Sequence, residues 1–285
     1  MRRFKIDYIV PEHGLRSSIS SNEYTNLNPF IEETVAELRE VCVKLPSLDY
    51  SVSWGDLSSN TLATTWIYFH LKSDYWVPSN SFDIVFNKRF QWWNGPCSSK
   101  NPSHYDLKST MIHEVLHGIG YMSTIDSNKT ALPSNFDLLL HDGSGSNVVK
   151  DGHYTGSLGD PVYIDHIRMY NPIQYNRGSS FMHEHSDGLL MSHSQTRCTQ
   201  HLDKNSITIL NHLGYGCSSN NIITTREQHN GSDTMLLYVG FFVVIFVGIV
   251  ICICNNKSKL RKPRKLEEQP LLLISAPVPA KSAGQ

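Results

Sequence analysis

Charge is scarce in this sequence. Asp, Glu, Lys and Arg make up 18% of its 285 residues and balance to −1. That excludes bulk electrostatic attraction to a polyanion, so nucleic acid is not an expected partner. No internal repeat is visible, which sets aside solenoids and propellers. An apolar core of the kind that marks a cleavable signal peptide is also missing, since the opening MRRFKIDYIVPEHG has basic residues but no sustained apolar run. Cysteine is too sparse for a disulfide-built scaffold. Cys42, Cys97, Cys198 and Cys217 lie in the polar part of the chain, and Cys252 and Cys254 end an apolar run. Cys198 and Cys217 flank an expected helix and are the pair expected to join in an oxidising compartment.

Long apolar stretches are limited to Met235 to Cys254, MLLYVGFFVVIFVGIVICIC, which carries no charge. A helix of about 20 such residues spans the hydrocarbon layer, so this run is expected to be transmembrane. The following NNKSKLRKPRK is strongly basic, and the positive-inside rule puts it on the cytosolic side. The preceding domain is then expected outside the cytosol or in a lumen. Asn128 and Asn230, each heading an Asn-X-Ser/Thr sequon, are compatible with that side. With no signal peptide in view, three routes stay open: unaided insertion of the last helix, a start farther upstream, or a cytosolic domain. The tail after Lys265 is rich in Pro, Ala and Ser and is expected to be disordered.

The polar part, residues 1–231, reads as a mixed α/β (α+β) domain. Alternating, β-branched stretches predict strands over 4–10, 48–54, 64–71 and 82–86, with Trp92, Trp93, Gly95 and Pro96 in a loop. Residues 28–44 predict a helix: Asn28 as cap, Pro29 in the first turn, acids near the start, and Ile31, Val35, Leu38 and Val41 as one apolar stripe.

The chemistry gathers at Met111 to Met122, MIHEVLHGIGYM. His113 and His117 stand four residues apart, which stacks two imidazoles on one helix face, with Glu114 about 100° away at its rim. This is the HExxH signature of a zinc site in which the Glu acts as general base. Ser103 and Asp106 suggest a capping box, Leu107, Met111, Ile112, Val115, Leu116 and Ile119 a broad apolar surface, and Gly118 and Gly120 the stop. A catalytic zinc takes three protein ligands and leaves one position open. In the compact HExxHxxGxxH arrangement the third is a His at the position occupied here by Ser123. The third ligand must therefore come from elsewhere, and His183, His185 and His193 cluster downstream.

The stretch Tyr170 to Tyr215 contains Ser179-Ser180-Phe181-Met182-His183, then Leu190-Met191, then an expected helix over 207–215 ending in Leu213-Gly214-Tyr215. Together with the helix motif this order resembles the leishmanolysin-type branch of the metzincins and the related HExxHGxGF proteases. The resemblance implies a metzincin-like mixed twisted sheet and a zinc metalloendopeptidase. It implies His113, His117 and His183 as zinc ligands, with His185 as the rival third ligand, Glu114 as base and Met191 as the methionine beneath the metal. Residues 82–87 resemble the family's edge strand, along which a peptide substrate lies. Asp137 and Asp142 resemble positions with loop-shaping roles. Tyr121 and Tyr170 are candidates for oxyanion support or plain packing. Cys97 is read as a disulfide or buried thiol. The expected organisation is a catalytic domain over 1–231, a transmembrane helix over 235–254 and a basic, then disordered, tail over 255–285.

Overall fold

β1 (Arg2–Ile9), β2 (Asp49–Gly55), β3 (Thr61–Lys72) and β4 (Tyr75–Asn87) form a mixed sheet in the order β1-β3-β4-β2. The computed structural model describes residues 1–9, 25–193 and 198–218. β3 pairs antiparallel with both β1 and β4, while β2 joins β4 in parallel. The β3–β4 hairpin turns at Ser73, whose φ of 58° is the left-handed conformation that two-residue hairpins require.

β4 is therefore an inner strand. The expectation of an edge at 82–87 is wrong: β4 bonds β3 on one side and β2 on the other, and the edges are β1 and β2. Its apolar alternation has a different cause. Phe82, Ile84 and Phe86 are fully buried on the sheet face that receives the second helix. That helix comes so close that a Cβ on Gly118 would lie 2.5 Å from the Phe82 ring.

Three α-helices lie among the described residues. α1 (Asn28–Val41) buries the anticipated stripe of Ile31, Val35, Leu38 and Val41, but Leu27 rather than Asn28 is its cap residue and no acid lies in its first turn. α2 (Leu107–Gly118) packs on β3, β4 and α1 and is buried at every position except Lys108. Its cap is Asp106, whose Oδ1 accepts from Ser109 N at 2.7 Å and Ser109 Oγ at 2.6 Å. Ser103, the expected cap, bonds Asn101 Oδ1 instead. Gly120, at φ 102°, turns the chain out of the helix.

Around α2 the chain forms short two-stranded pieces. β5 (Trp92–Trp93) pairs with β6 (Tyr105–Asp106), β7 (Val149–Lys150) with β8 (His153–Tyr154), and β9 (Val162–Ile164) with β10 (Ile167–Met169). α3 (Lys204–His212) is capped by Asp203 and followed by Gly214 at φ 96°, after which Tyr215 donates its hydroxyl to Ile119 O.

The disulfides are Cys42–Cys217 and Cys97–Cys198. The expected Cys198–Cys217 pair does not form, because the two ends of α3 serve different neighbours. Gln200 ties the Cys198 segment to Gly95 O and Asp106 at the start of α2, whereas Cys217 lies in a backbone bridge with Cys42 at the end of α1.

Met1–Thr225 form one compact unit. The second unit, Arg226–Gln285, lies outside the described residues and contains the expected transmembrane run and tail. No helix among the described residues is long and apolar enough to cross a membrane.

Candidate metal centre

His113 and His117, one turn apart on α2, bring their Nε2 atoms to 3.1 Å. His183 completes the group from a turn over 177–182, with its Nε2 3.1 Å from that of His113 and 3.3 Å from that of His117. Phe181 adopts φ 68° two residues earlier and is wholly buried, a backbone state that a bulky residue holds only when its surroundings demand it. The loop is fastened on both sides, since Tyr170 N donates to His183 O and Phe181 N to Tyr170 O, each at 2.7 Å.

The second nitrogens determine what these imidazoles can do. Nδ1 of His113 lies 2.9 Å from Leu190 O, that of His117 2.7 Å from Tyr121 O, and that of His183 3.1 Å from Ser179 O. A carbonyl oxygen only accepts, so each Nδ1 carries the proton and each neutral ring presents a bare Nε2 lone pair. Burial drives all three toward that neutral form: His117 falls to about 4, and His113 and His183 fall well below the usual histidine range, with repulsion from His117 adding to both and from His113 to His183. Three lone pairs aimed at one another, with no proton to share, are a ligand set for a cation. Donors about 2.0–2.1 Å from a tetrahedral metal lie roughly 3.3 Å apart, and the observed spacings match that. These three histidines are the group of metal-capable side chains found among the described residues.

Glu114 is fully buried beside them. Thr65 Oγ1, from β3, donates to Glu114 Oε2, while Oε1 has no hydrogen-bond partner among the described residues. Burial pushes the Glu114 carboxyl up to about 8, opposed by the Thr65 bond and slightly reinforced by Asp7. A dication at the histidines would draw it down again.

The other anticipated residues fall on either side of this centre. His185 is exposed, its backbone pinned to Arg168 O, and takes no part in the histidine group. His193 also stays outside, stacked on Tyr170 with ring centroids 4.2 Å apart. Met191 is fully buried, and its carbonyl accepts from Glu184 N at 2.7 Å, directly after the third histidine. Tyr121 contributes through its carbonyl, which holds His117. Its hydroxyl is buried with no partner among the described residues. Ser123 is buried and its Oγ accepts from Ile125 N, so the chain there turns away as a loop. Asp137 Oδ2 gathers Thr124 N, Ser134 N and both hydroxyls, and Asp142 Oδ1 gathers Ser144 and Ser146, so both shape loops. Cys97 is oxidised in a disulfide.

Two supporting residues had no visible signal in the sequence. Thr65 sits in an ordinary strand alternation. Asp203 looks like any helix cap, yet its Oδ2 accepts from Leu190 N at 3.0 Å, and Leu190 O in turn holds His113. Glu184 carries a further buried carboxylate, bonded to Asn205 and raised to about 8 by burial and by Asp203. No protein-family model, curated protein or solved structure matches the chain.

Proposed function

We propose that this chain is a membrane-anchored zinc metalloendopeptidase of metzincin type, resembling the leishmanolysin-like branch. The observation that carries the reading is the convergence of three Nε2 lone pairs, each fixed by an Nδ1–H bond to a backbone carbonyl, beside a buried carboxylate. Three neutral imidazoles suit zinc, and a set of three leaves a coordination position open for chemistry. Zinc, when bound there, supplies Lewis acidity that polarises a carbonyl and makes a water molecule acidic near neutral pH. Glu114 receives the proton of the attacking water, and Oε1, the oxygen that Thr65 does not occupy, is the atom available for it. The same carboxyl then delivers that proton to the departing amine. Peptide or protein is the substrate class, and the apolar run at 235–254 is the anchor. Two disulfides favour an oxidising compartment for the domain, with the basic tail in the cytosol.

The test is Glu114→Gln. The variant keeps its zinc and loses cleavage of a peptide library, and equal cleavage by parent and variant sinks the protease reading. A second reading has one observation in its favour: His113 is 1% exposed, and Glu114, His117 and His183 are 0% exposed. A site so enclosed also fits a metal-stabilised attachment module without turnover. Zinc retention with no cleavage by the parent would select it.

A further inference from the structure

Asn-X-Ser/Thr sequons begin at Asn128, Asn230 and Asn256, and of these Asn128 lies among the described residues. It belongs to the loop that leaves α2 through Tyr121, whose carbonyl holds His117. The neck of this loop is closed. Ser134 Oγ donates to Met122 O at 2.7 Å, Thr124 Oγ1 donates to Leu132 O at 2.8 Å, and Asp137 Oδ2 accepts from both Thr124 N and Ser134 N.

The tip is equally well defined. Lys129 N donates to Asp126 O at 3.0 Å, which closes a turn with Ser127 and Asn128 at its centre, and Asp126 Oδ1 accepts from Thr130 N at 3.0 Å. Side chains around the turn divide into two sets. Ile125 is buried and its carbonyl accepts from the Tyr175 hydroxyl at 2.8 Å. Lys129, at φ 59°, reaches back to the body of the domain, where its Nζ donates to Gly156 O and lies 5.4 Å from the centroid of the Tyr154 ring. Ser127, Asn128 and Thr130 are exposed. Asn128 Nδ2 has no hydrogen-bond partner among the described residues. The turn is therefore pinned from within and presents the sequon outward.

A sequon becomes a glycan site only where a bulky, hydrophilic substituent can stand on the surface of the folded domain. Replacing one Nδ2 hydrogen of Asn128 breaks no native bond, and the Thr130 hydroxyl is held only by a long 3.4 Å contact with Asp126 Oδ2. Compartment is the second requirement. The two disulfides favour an oxidising one, and the basic run after residue 254 favours a cytosolic tail with the domain across the membrane.

We propose that Asn128 carries an N-linked oligosaccharide, received on the luminal side of a secretory membrane. The donor is an oligosaccharide linked to a polyprenyl diphosphate. Transfer breaks the bond between sugar C1 and the diphosphate oxygen and forms the C1–Nδ2 bond, and the polyprenyl diphosphate and one Nδ2 proton leave. Thr130 supplies the hydroxyl that completes the acceptor sequence. The proposal rests on the anchored, luminal reading above and is independent of whether the domain cleaves peptides.

The test expresses the full chain in cultured animal cells with Asn230→Gln and Asn256→Gln in place, so that Asn128 is the remaining sequon. Sealed microsomes are treated with an added protease, and a parallel sample is denatured and digested with peptide:N-glycosidase F. Deglycosylation should shift this chain by the mobility of one glycan and convert Asn128 to Asp in its tryptic peptide. Adding Asn128→Gln or Thr130→Ala should abolish the shift, and Thr130→Ser, which keeps an acceptor hydroxyl, should retain it. A shift that survives Asn128→Gln overturns the assignment. No shift in a chain whose domain is shielded from the added protease also overturns it and leaves the luminal reading standing. No shift in a chain whose domain is digested overturns the luminal reading together with the glycan.

Discussion

Thr65→Val removes one hydroxyl and keeps the branched shape of a strand residue, so its effect isolates the hold on Glu114. The lost bond is the one that Thr65 Oγ1 donates to Glu114 Oε2, and the other carboxylate oxygen has no partner among the described residues to take over. A hydrogen bond to a charged group contributes about 1.5–3 kcal/mol, and about 1.4 kcal/mol is a tenfold rate change, so kcat/KM should fall roughly 10- to 100-fold. A direction in pH follows as well. The Thr65 bond favours the ionised carboxylate, while burial pushes Glu114 up to about 8. Losing the donor raises that pKa further, and because the base must be ionised to accept a proton, the acid limb of the kcat/KM profile moves to higher pH. Thr65→Ser, which restores a hydroxyl, should recover both rate and limb. The assay is peptide cleavage across pH at measured zinc content. A Thr65→Val enzyme with full zinc, parental kcat/KM and an unmoved limb would refute the positioning role.

Two further perturbations follow from the same shell. In chelated protein His117 has a folded pKa of about 4 against an ordinary 6.5, because burial disfavours its cation. Its neutral form therefore contributes fully above pH 6.5, and that contribution is lost as pH falls toward 4, at about 1.4 kcal/mol per unit and some 3 kcal/mol in all. Urea unfolding of parent and His117→Gln, both with chelator, should show the parent losing that much stability relative to the variant over this window, and a constant difference contradicts the burial argument. Asp203→Ala removes both the α3 cap and the acceptor for Leu190 N, whose residue holds His113 through its carbonyl. It should cost about 1 kcal/mol of stability and roughly 10- to 100-fold in zinc affinity by chelator competition, and a change in stability with unaltered affinity would break the proposed chain from cap to ligand.

What was legible in the sequence is what local periodicity encodes. The 3.6-residue repeat put His113 and His117 on one face of α2, and period-two alternation located all four strands of the sheet. Position within the sheet was not legible, because an inner strand and an edge strand share the same alternation. The 82–87 segment is interior since β2 joins it in parallel from across α1. Between His183 and His185, periodicity made no choice, and only the resemblance carried by Ser179-Ser180-Phe181-Met182-His183 pointed to the histidine that joins the group. Both sit in a turn that follows Phe181 at positive φ, where no repeat assigns faces, and only the bonds from Tyr170 and Glu184 direct one histidine inward and leave the other exposed. Cys198 and Cys217 looked paired through proximity along the chain, but their partners lie 101 and 175 residues away in sequence. Thr65 and Asp203 act on the site through bonds that are visible only once strand, loop and helix are assembled.

The central claim is that three particular histidines hold one zinc ion. Elemental analysis of the purified parent, His183→Ala and His185→Ala tests it directly. The parent and His185→Ala should each carry about one zinc per chain, and His183→Ala close to none. Zinc missing from the parent, or retained in full by His183→Ala, would contradict the account.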